Sequence, residues 1–166
     1  MKRLVLSRGN ISAKILIIGE APGASEDLEG QPFVGKSGKL LDKLLVLSGI
    51  NLEDIYYCNV IKCRPPRNRK PSKNEVGIHK PWLLQQIKLI DPKLVILTGS
   101  TAMNAILEIN LPISKVRGKW IQKNRTEYTI IFHPSYLMRF SPNDVNNPYG
   151  LTLNDLINVR KKLYDL

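Results

Sequence analysis

The sequence predicts an α/β fold in which a parallel sheet lies between two layers of helices. Residues 14–18, 55–61 and 94–97 are apolar almost throughout, which is typical of short strands buried on both faces. Other stretches place apolar side chains at helical spacing, as leucine does over residues 40–47. Strands that alternate with helices require crossover connections, and these favour a parallel sheet with helices on both faces.

Local signals place the remaining elements. Residues 1–13 are short and polar, so we expect a strand-like lead-in or a frayed terminus. Residues 21–35 predict a long glycine-rich loop, and a loop of that length usually has a function. Residues 120–122 and 128–132 predict a hairpin. Four helices are predicted. The first begins at Ser37 and ends before Gly49, and the second covers residues 73–90 with a kink or restart at Pro81. The third covers residues 101–109 with Ser100 as its cap, and the fourth begins at Thr152 and ends with Arg160, Lys161 and Lys162.

Length and composition limit the class of protein. A chain of 166 residues with 43% hydrophobic residues can bury a sizeable core, so we predict one domain over residues 1–166. No apolar run reaches the roughly 18 residues of a membrane helix, and no signal-peptide core follows Met1. We therefore expect a cytoplasmic protein with no membrane partner. Cys58 and Cys63 are the only cysteines, which excludes a disulfide framework and a four-cysteine metal cage.

The formal net charge of +11 indicates a polyanionic partner, nucleic acid before membrane. A generally basic surface is the structural alternative, but the charges are clustered. Prolines interrupt this cluster and prevent a helix, so it predicts an ordered basic loop. The clustered cations are Arg64, Arg67, Arg69, Lys70 and Lys73.

Residues 30–37 match the phosphate-loop pattern G-x-x-x-x-G-K-[ST], and a predicted helix follows them. A nucleotide-binding protein is therefore one alternative. The position of the loop disfavours this alternative, because a phosphate-binding loop should leave a buried strand directly and the preceding strand ends at Ile18. Pro32 also removes one amide donor inside the loop. We therefore expect no nucleotide cofactor.

Four polar residues, Glu20, Asn59, Thr98 and His133, follow or end predicted strands, and Phe33 lies in the glycine-rich loop. Because the carboxyl ends of parallel strands meet at one edge of a sheet, we expect these side chains to converge there. A carboxylate, an amide, an imidazole and an aromatic face suit a flat, hydrogen-bonding heterocycle. Each also has a structural alternative: a backbone partner for the amide, a core position for the phenylalanine and a turn for the histidine.

Four motifs follow one another between residues 14 and 139. They are Gly19-Glu-Ala-Pro-Gly23 with Glu26-Asp27, Gly30-x-Pro-Phe-Val-Gly35-x-x-Gly38-x-Leu-Leu41, Asn59-Val-Ile-Lys-Cys-Arg-Pro-Pro66 and His133-Pro-Ser-x-Leu137-x-Arg139. Together they resemble the family 4 uracil-DNA glycosylases. The resemblance implies a three-layer sandwich with a central four-stranded, mostly parallel sheet. It also implies a DNA repair enzyme that flips uracil out of DNA and hydrolyses its N-glycosidic bond.

The resemblance assigns roles to individual residues. It implies that Phe33 stacks on the flipped uracil and that Asn59 bonds the N3–H and O4 edge. His133 would stabilise the charge that grows on O2, while Glu20 and the backbone of Ala21 would position the base and the attacking water. The loop over residues 134–139 would enter the minor groove, with Leu137 or Arg139 filling the vacated space. The implied DNA contacts are Arg64, Arg67, Arg69, Lys70, Ser135, Leu137 and Arg139.

The chain departs from the family in its cysteines. The family usually holds a structural iron–sulfur cluster with four cysteines, two of them in an N-terminal pair. Only Cys63 matches that set, the second downstream position reads His79-Lys80-Pro81, and residues 1–13 contain no cysteine. A cluster needs its thiolates, so we predict none, and no other metal.

Two alternatives to the enzyme stay open at this stage. A glycosylase-like domain with weak or no activity could hold DNA as a binding module, and a phosphate-loop protein could bind nucleotide. The prediction we favour is a monomeric enzyme that acts on uracil-containing DNA.

Overall fold

The structure, a computed structural model, describes residues 3–166, and one six-stranded sheet forms its centre. Met1 and Lys2, part of the predicted lead-in, lie outside the described residues. The strands are β1 (Arg8–Gly9), β2 (Ile15–Gly19), β3 (Ile55–Asn59), β4 (Leu94–Thr98), β5 (Trp120–Lys123) and β6 (Thr126–Ile131). The α-helices are α1 (Ala24–Glu29), α2 (Lys36–Leu47), α3 (Lys73–Ile90), α4 (Ser100–Leu107), α5 (Ile113–Val116), α6 (Pro134–Leu137) and α7 (Pro148–Tyr164).

The strand order across the sheet is β1-β3-β2-β4-β6-β5. The four inner strands run parallel, whereas β1 and β5 pair antiparallel at the two edges. The parallel sheet is confirmed, but its predicted size of four strands is wrong. The lead-in contributes one edge strand of two residues, and the hairpin adds β5 beyond β6.

Each face of the sheet packs against its own hydrophobic core. Leu16 and Ile18 point into one core, which α3 and α4 cover with side chains such as Leu83 and Met103. The alternate residues of the same strand, Ile15 and Ile17, point into the other core, which α2 and α7 cover. This alternation is the two-residue period of a strand. It confirms the three-layer arrangement.

Several predicted boundaries shift for local reasons. Residues 24–29 of the predicted loop form α1, because the Glu26 carboxylate accepts from the N–H of Gly23 at the N-cap, which is one half of a capping box. The helix over residues 73–90 is confirmed, and it continues through Pro81 without a restart. Gly99, not Ser100, occupies the N-cap of α4. Helix α7 begins before Thr152, at Pro148, because the Asn147 side chain caps it.

No helix within residues 3–166 is long and apolar enough to cross a membrane. The described strands all belong to one sheet, and the single domain over residues 1–166 stays a prediction.

Candidate active site

A cavity of about 290 Å³ opens at the carboxyl ends of the parallel strands. Glu20, Asn59 and His133 reach it from the ends of β2, β3 and β6, and Phe33 reaches it from the loop before α2. Further residues line it: Ala21, Pro22, Gly23, Glu26, Ser37, Pro65, Asn68, Arg69 and Ser135. The predicted convergence at one sheet edge is therefore present for four of the five residues.

Thr98 is the exception. It is fully buried, and its hydroxyl donates to the carbonyl oxygen of Ile18 at 3.1 Å. This bond ties β4 to β2 below the cavity. Thr98 therefore supports the strands that carry the site and does not line it.

Gly19 allows the side chains of Asn59 and Phe33 to approach each other. It pairs with Asn59 in the β2–β3 register, and a Cβ atom on it would lie 2.5 Å from Asn59 Oδ1 and 2.6 Å from Phe33 Cζ. Any side chain there would displace both residues. Asn59 is 4% exposed, and within residues 3–166 its amide has no hydrogen-bond partner. The amide is therefore free to bond a ligand in the cavity.

Phe33 forms one wall of the cavity and is 8% exposed. Its ring centroid lies 5.5 Å from that of Tyr57, with the planes tilted by 48°. Its backbone has a φ of 56°, a left-handed conformation that bulky residues rarely adopt. The structure therefore holds this ring in place at some conformational cost.

Glu20 receives a short hydrogen bond from the hydroxyl of Thr101 in the first turn of α4. This bond occupies one carboxylate oxygen, Oε2, and fixes the direction of the side chain. Thr101 is itself buried, so the orientation is set from the core side of the sheet. The carboxylate can then accept a hydrogen bond from water or ligand in the cavity.

The surroundings of His133 define its tautomer. Nδ1 accepts a hydrogen bond from the backbone N–H of Ser135 at 3.1 Å and lies 2.7 Å from the Ser135 hydroxyl oxygen. In the neutral ring the proton is therefore on Nε2, which becomes a donor. Burial lowers the pKa of His133 below its usual value, and the nearby charge of Glu20 partly opposes this shift. The ring is thus kept as a neutral donor.

Glu26 is a site residue to which sequence reasoning gave no role. Its two oxygens accept from the N–H groups of Gly23 and Gly35, at 3.1 and 3.0 Å, and the residue lines the cavity. One carboxylate thereby joins the two ends of the loop around α1. The acidic residue three positions after Gly23 was the available signal, because that spacing is typical of a capping box.

The basic segment, residues 64–70, lies beside the cavity but only partly inside it. Arg69 lines the cavity and forms an ion pair with Glu75 at 2.7 Å. Arg64 donates to the Asn68 side chain at 2.7 Å, and Arg67 and Lys70 are exposed. Exposed cations beside an opening suit a polyanionic ligand.

One residue of the predicted groove-binding loop faces the core. Leu137 is fully buried and packs into the core beneath α2 and α7, because the short turn of α6 directs it inward. It is therefore not an exposed wedge. Ser135 and Arg139 are exposed, and Ser135 lines the cavity.

Cys63 and the neighbouring Cys58 and His79 are the residues that bear on the predicted absence of an iron–sulfur cluster. Among residues 3–166, no group of three or more Cys, His, Asp or Glu side chains is arranged to hold a metal. Cys58 is fully buried on the strand, where burial raises the pKa of its thiol to about 11. The Nδ1 atom of His79 already accepts from the N–H of Lys62 at 3.0 Å.

Comparison with known proteins agrees with this geometry. Residues 6–157 match the family model described as the uracil DNA glycosylase superfamily. The chain is 42% identical to a Type-4 uracil-DNA glycosylase of Thermotoga maritima, over 86% of this chain and 75% of that protein. It is 41% identical to one of Saccharolobus solfataricus, over 81% of this chain and 65% of that protein. It is 38% identical to one of Pyrobaculum aerophilum, over 83% of this chain and 74% of that protein.

Proposed function

The chain belongs to the uracil DNA glycosylase superfamily, and from this membership we propose that it excises uracil from DNA. It hydrolyses the N-glycosidic bond of deoxyuridine, releases free uracil and leaves an abasic site. One observation carries the proposal: Glu20, Phe33, Asn59 and His133 line the same cavity at the sheet edge. That cavity, at about 290 Å³, is near the lower end of the range for small-molecule sites, roughly 300–1,000 Å³.

Such a cavity admits one base and excludes a duplex. The target nucleotide must therefore be flipped out of the helix, which costs a few kcal/mol. Stacking on Phe33 offsets part of this cost, because every base has an aromatic face. Uracil then lies against the ring with its polar edge toward Asn59.

Asn59 gives the site its preference for uracil over cytosine. Its Oδ1 accepts from N3–H of uracil, and its Nδ2 donates to O4. Cytosine presents an amino donor where uracil has O4, so two donors would face each other. Because Asn59 is only 4% exposed, water cannot relieve that mismatch.

His133 stabilises the leaving group. As the glycosidic bond breaks, negative charge grows on uracil, and a neutral ring with its proton on Nε2 donates to O2. The N–H of Ser135 holds the ring in this tautomer. A preorganised donor of this kind contributes about 2.7–4 kcal/mol to lowering a barrier.

Glu20 positions the attacking water and, with the backbone of Ala21, the base. Thr101 occupies one carboxylate oxygen and leaves the other, Oε1, to accept from that water. Glu20 and Ala21 both line the cavity that His133 also lines.

DNA is bound by cations beside the cavity and by the loop after β6. The half-buried Arg64 and the exposed Arg67, Arg69 and Lys70 contact phosphates there. Ser135 contacts the strand at the opening, and Arg139 fills the space that the base leaves. The burial of Leu137 supports Arg139 in this role over Leu137.

We further propose that the enzyme is a cytoplasmic monomer that works without an iron–sulfur cluster, another metal or a nucleotide. The proposal that no iron–sulfur cluster is needed is supported within residues 3–166, where no group of three or more Cys, His, Asp or Glu side chains could hold a metal. The proposal that no nucleotide is needed is supported by the loop over residues 30–37. The Glu26 carboxylate already accepts from the N–H of Gly35, so a negative charge sits where a phosphate would bind.

Excision from a labelled oligonucleotide with a single deoxyuridine tests the proposal, in single- and double-stranded form, with iron content measured on the same sample. We expect strand cleavage at the abasic site after alkali. His133→Ala should reduce excision by about 10²–10³-fold and leave DNA binding intact, because the bond to O2 forms mainly in the transition state. Binding of uracil-containing DNA without release of uracil would refute the enzyme and favour a binding module.

A further inference from the structure

We infer that Arg8, which lies outside the four motifs, is the positioning residue that holds Phe33 as the stacking platform. This inference rests on the proposed function. The platform needs support, because Phe33 has a φ of 56°. Strained backbone of this kind persists only where its surroundings hold it. The surroundings of Phe33 are therefore part of the site.

The guanidinium of Arg8 binds both peptide groups that flank Phe33. Nε donates to the carbonyl oxygen of Pro32 at 2.7 Å, and Nη2 donates to that of Phe33 at 3.0 Å. These oxygens belong to the peptide planes on either side of the Phe33 Cα atom, so fixing both planes fixes φ and ψ between them. The planar, rigid fork of arginine suits such paired acceptors, whereas a lysine offers a single ammonium group.

The Arg8 side chain also supports the ring of Phe33, through Tyr57. Arg8 pairs with Tyr57 in the β1–β3 register, and its guanidinium carbon lies 3.8 Å from the Tyr57 ring centroid. The Tyr57 ring is the one that contacts Phe33, at 5.5 Å. Arg8 therefore holds the backbone of Phe33 directly and its ring through Tyr57.

Asp42 on α2 completes the support. It accepts from Arg8 Nη2 at 3.1 Å and from the Tyr57 hydroxyl at 2.6 Å. Burial, and then the neighbouring Asp42 carboxylate, raise the pKa of Tyr57, so the phenol stays protonated and donates. Gly38 lets α2 approach, since a Cβ atom there would lie 2.1 Å from the Phe33 carbonyl oxygen.

This arrangement predicts a specific consequence for binding. A preorganised platform does not have to be ordered when the base arrives, so its loss weakens uracil binding. The loss of the platform leaves the affinity for undamaged DNA unchanged, because the proposed phosphate contacts lie elsewhere. A residue that only stabilised the fold would not separate these two affinities.

The test compares Arg8→Gln and Arg8→Lys with the matched control Arg117→Gln. Arg117 has the same 20% side-chain exposure as Arg8, and it pairs with a carboxylate, Asp155, at 2.9 Å away from the cavity lining. Three quantities are measured: the affinity for free uracil, the affinity for undamaged duplex and amide hydrogen exchange over residues 33–38.

We expect Arg8→Gln to weaken uracil binding by about tenfold or more, the scale of one charge-assisted hydrogen bond. Amide hydrogen exchange over residues 33–38 should rise while duplex affinity stays unchanged. The uracil affinity of Arg8→Lys should lie between those of Arg8→Gln and the wild type. The Arg8→Lys variant decides the question if Arg8→Gln does not fold. Arg117→Gln should lower thermal stability and keep the uracil affinity.

Unchanged uracil affinity and hydrogen exchange in the folded Arg8 variants would overturn the inference. An equal loss of uracil affinity in Arg117→Gln would also overturn it. A wild-type protein that releases no uracil would instead contradict the proposed function. The exchange comparison needs no activity, so the two failures are distinguishable.

Discussion

Replacing Gly19 by alanine is the sharpest perturbation of the site, because one methyl group meets two recognition residues at once. The added Cβ would lie 2.5 Å from Asn59 Oδ1 and 2.6 Å from Phe33 Cζ, where an ordinary contact begins at 3.4 Å. Asn59 must therefore retreat by about 0.9 Å and Phe33 by about 0.8 Å. Displacement of binding groups by about 1 Å costs on the order of 10²-fold in rate.

We expect Gly19→Ala to lower kcat/KM for deoxyuridine in DNA by about 100-fold. Overpacking at this buried position should also reduce the free energy of unfolding by about 1–3 kcal/mol. Single-turnover excision from an oligonucleotide measures the first effect, and thermal or denaturant unfolding measures the second.

Gly77 provides the matched control. It lies within α3, and a Cβ atom there would have nothing within 4 Å. Gly77→Ala should leave excision unchanged and stabilise the helix by up to about 1 kcal/mol. Gly19→Ala protein that excises uracil at the wild-type rate would refute the reasoning, since the two side chains could then not be touching a bound base.

Three further predictions concern His133, Asn59 and Arg67. Burial lowers the pKa of His133, so the excision rate should stay constant from neutral pH down to below about 6.5 and then fall as the ring is protonated; a pH–rate profile that falls already at neutral pH would contradict a neutral ring. Asn59→Asp should reduce uracil excision by about 100-fold or more, through the lost donor to O4, and permit measurable cytosine release; a variant with wild-type rate and selectivity would remove Asn59 from the site. Arg67→Gln should reduce the slope of log affinity against log salt by about 0.9 for duplex DNA, and an unchanged slope would place Arg67 off the phosphates.

The sequence predicts the sheet edge well, because the information is local. Aliphatic runs such as residues 15–18 mark the buried parallel strands, and polar residues directly after them must lie at the carboxyl edge. Glu20, Asn59 and His133 are predicted in this way, and all three line one cavity in the structure. The parallel order of the inner strands follows from the same alternation of elements.

The parts that sequence did not predict depend on contacts distant in the chain. A two-residue strand such as β1 has no periodicity, so neither its pairing with β3 nor the contact of Arg8 with Tyr57 could be foreseen. The glycines around residues 24–29 indicated a loop, although the Glu26 capping bond makes a helix there. The burial of Leu137 depends on how α6 docks, which its short segment does not encode.

The two faces of the sheet divide the chemistry between them. Phe33, like the side chain of Tyr57 that supports it, belongs to the core under α2 and α7. Glu20 follows the strand residues that face the other core, and its partner Thr101 belongs to α4 on that side. Stacking on Phe33 and placement of the water therefore depend on different cores. We expect changes on the α2 side to act mainly on uracil affinity and changes on the α4 side to act mainly on the water, although Phe33 and Glu20 line one cavity.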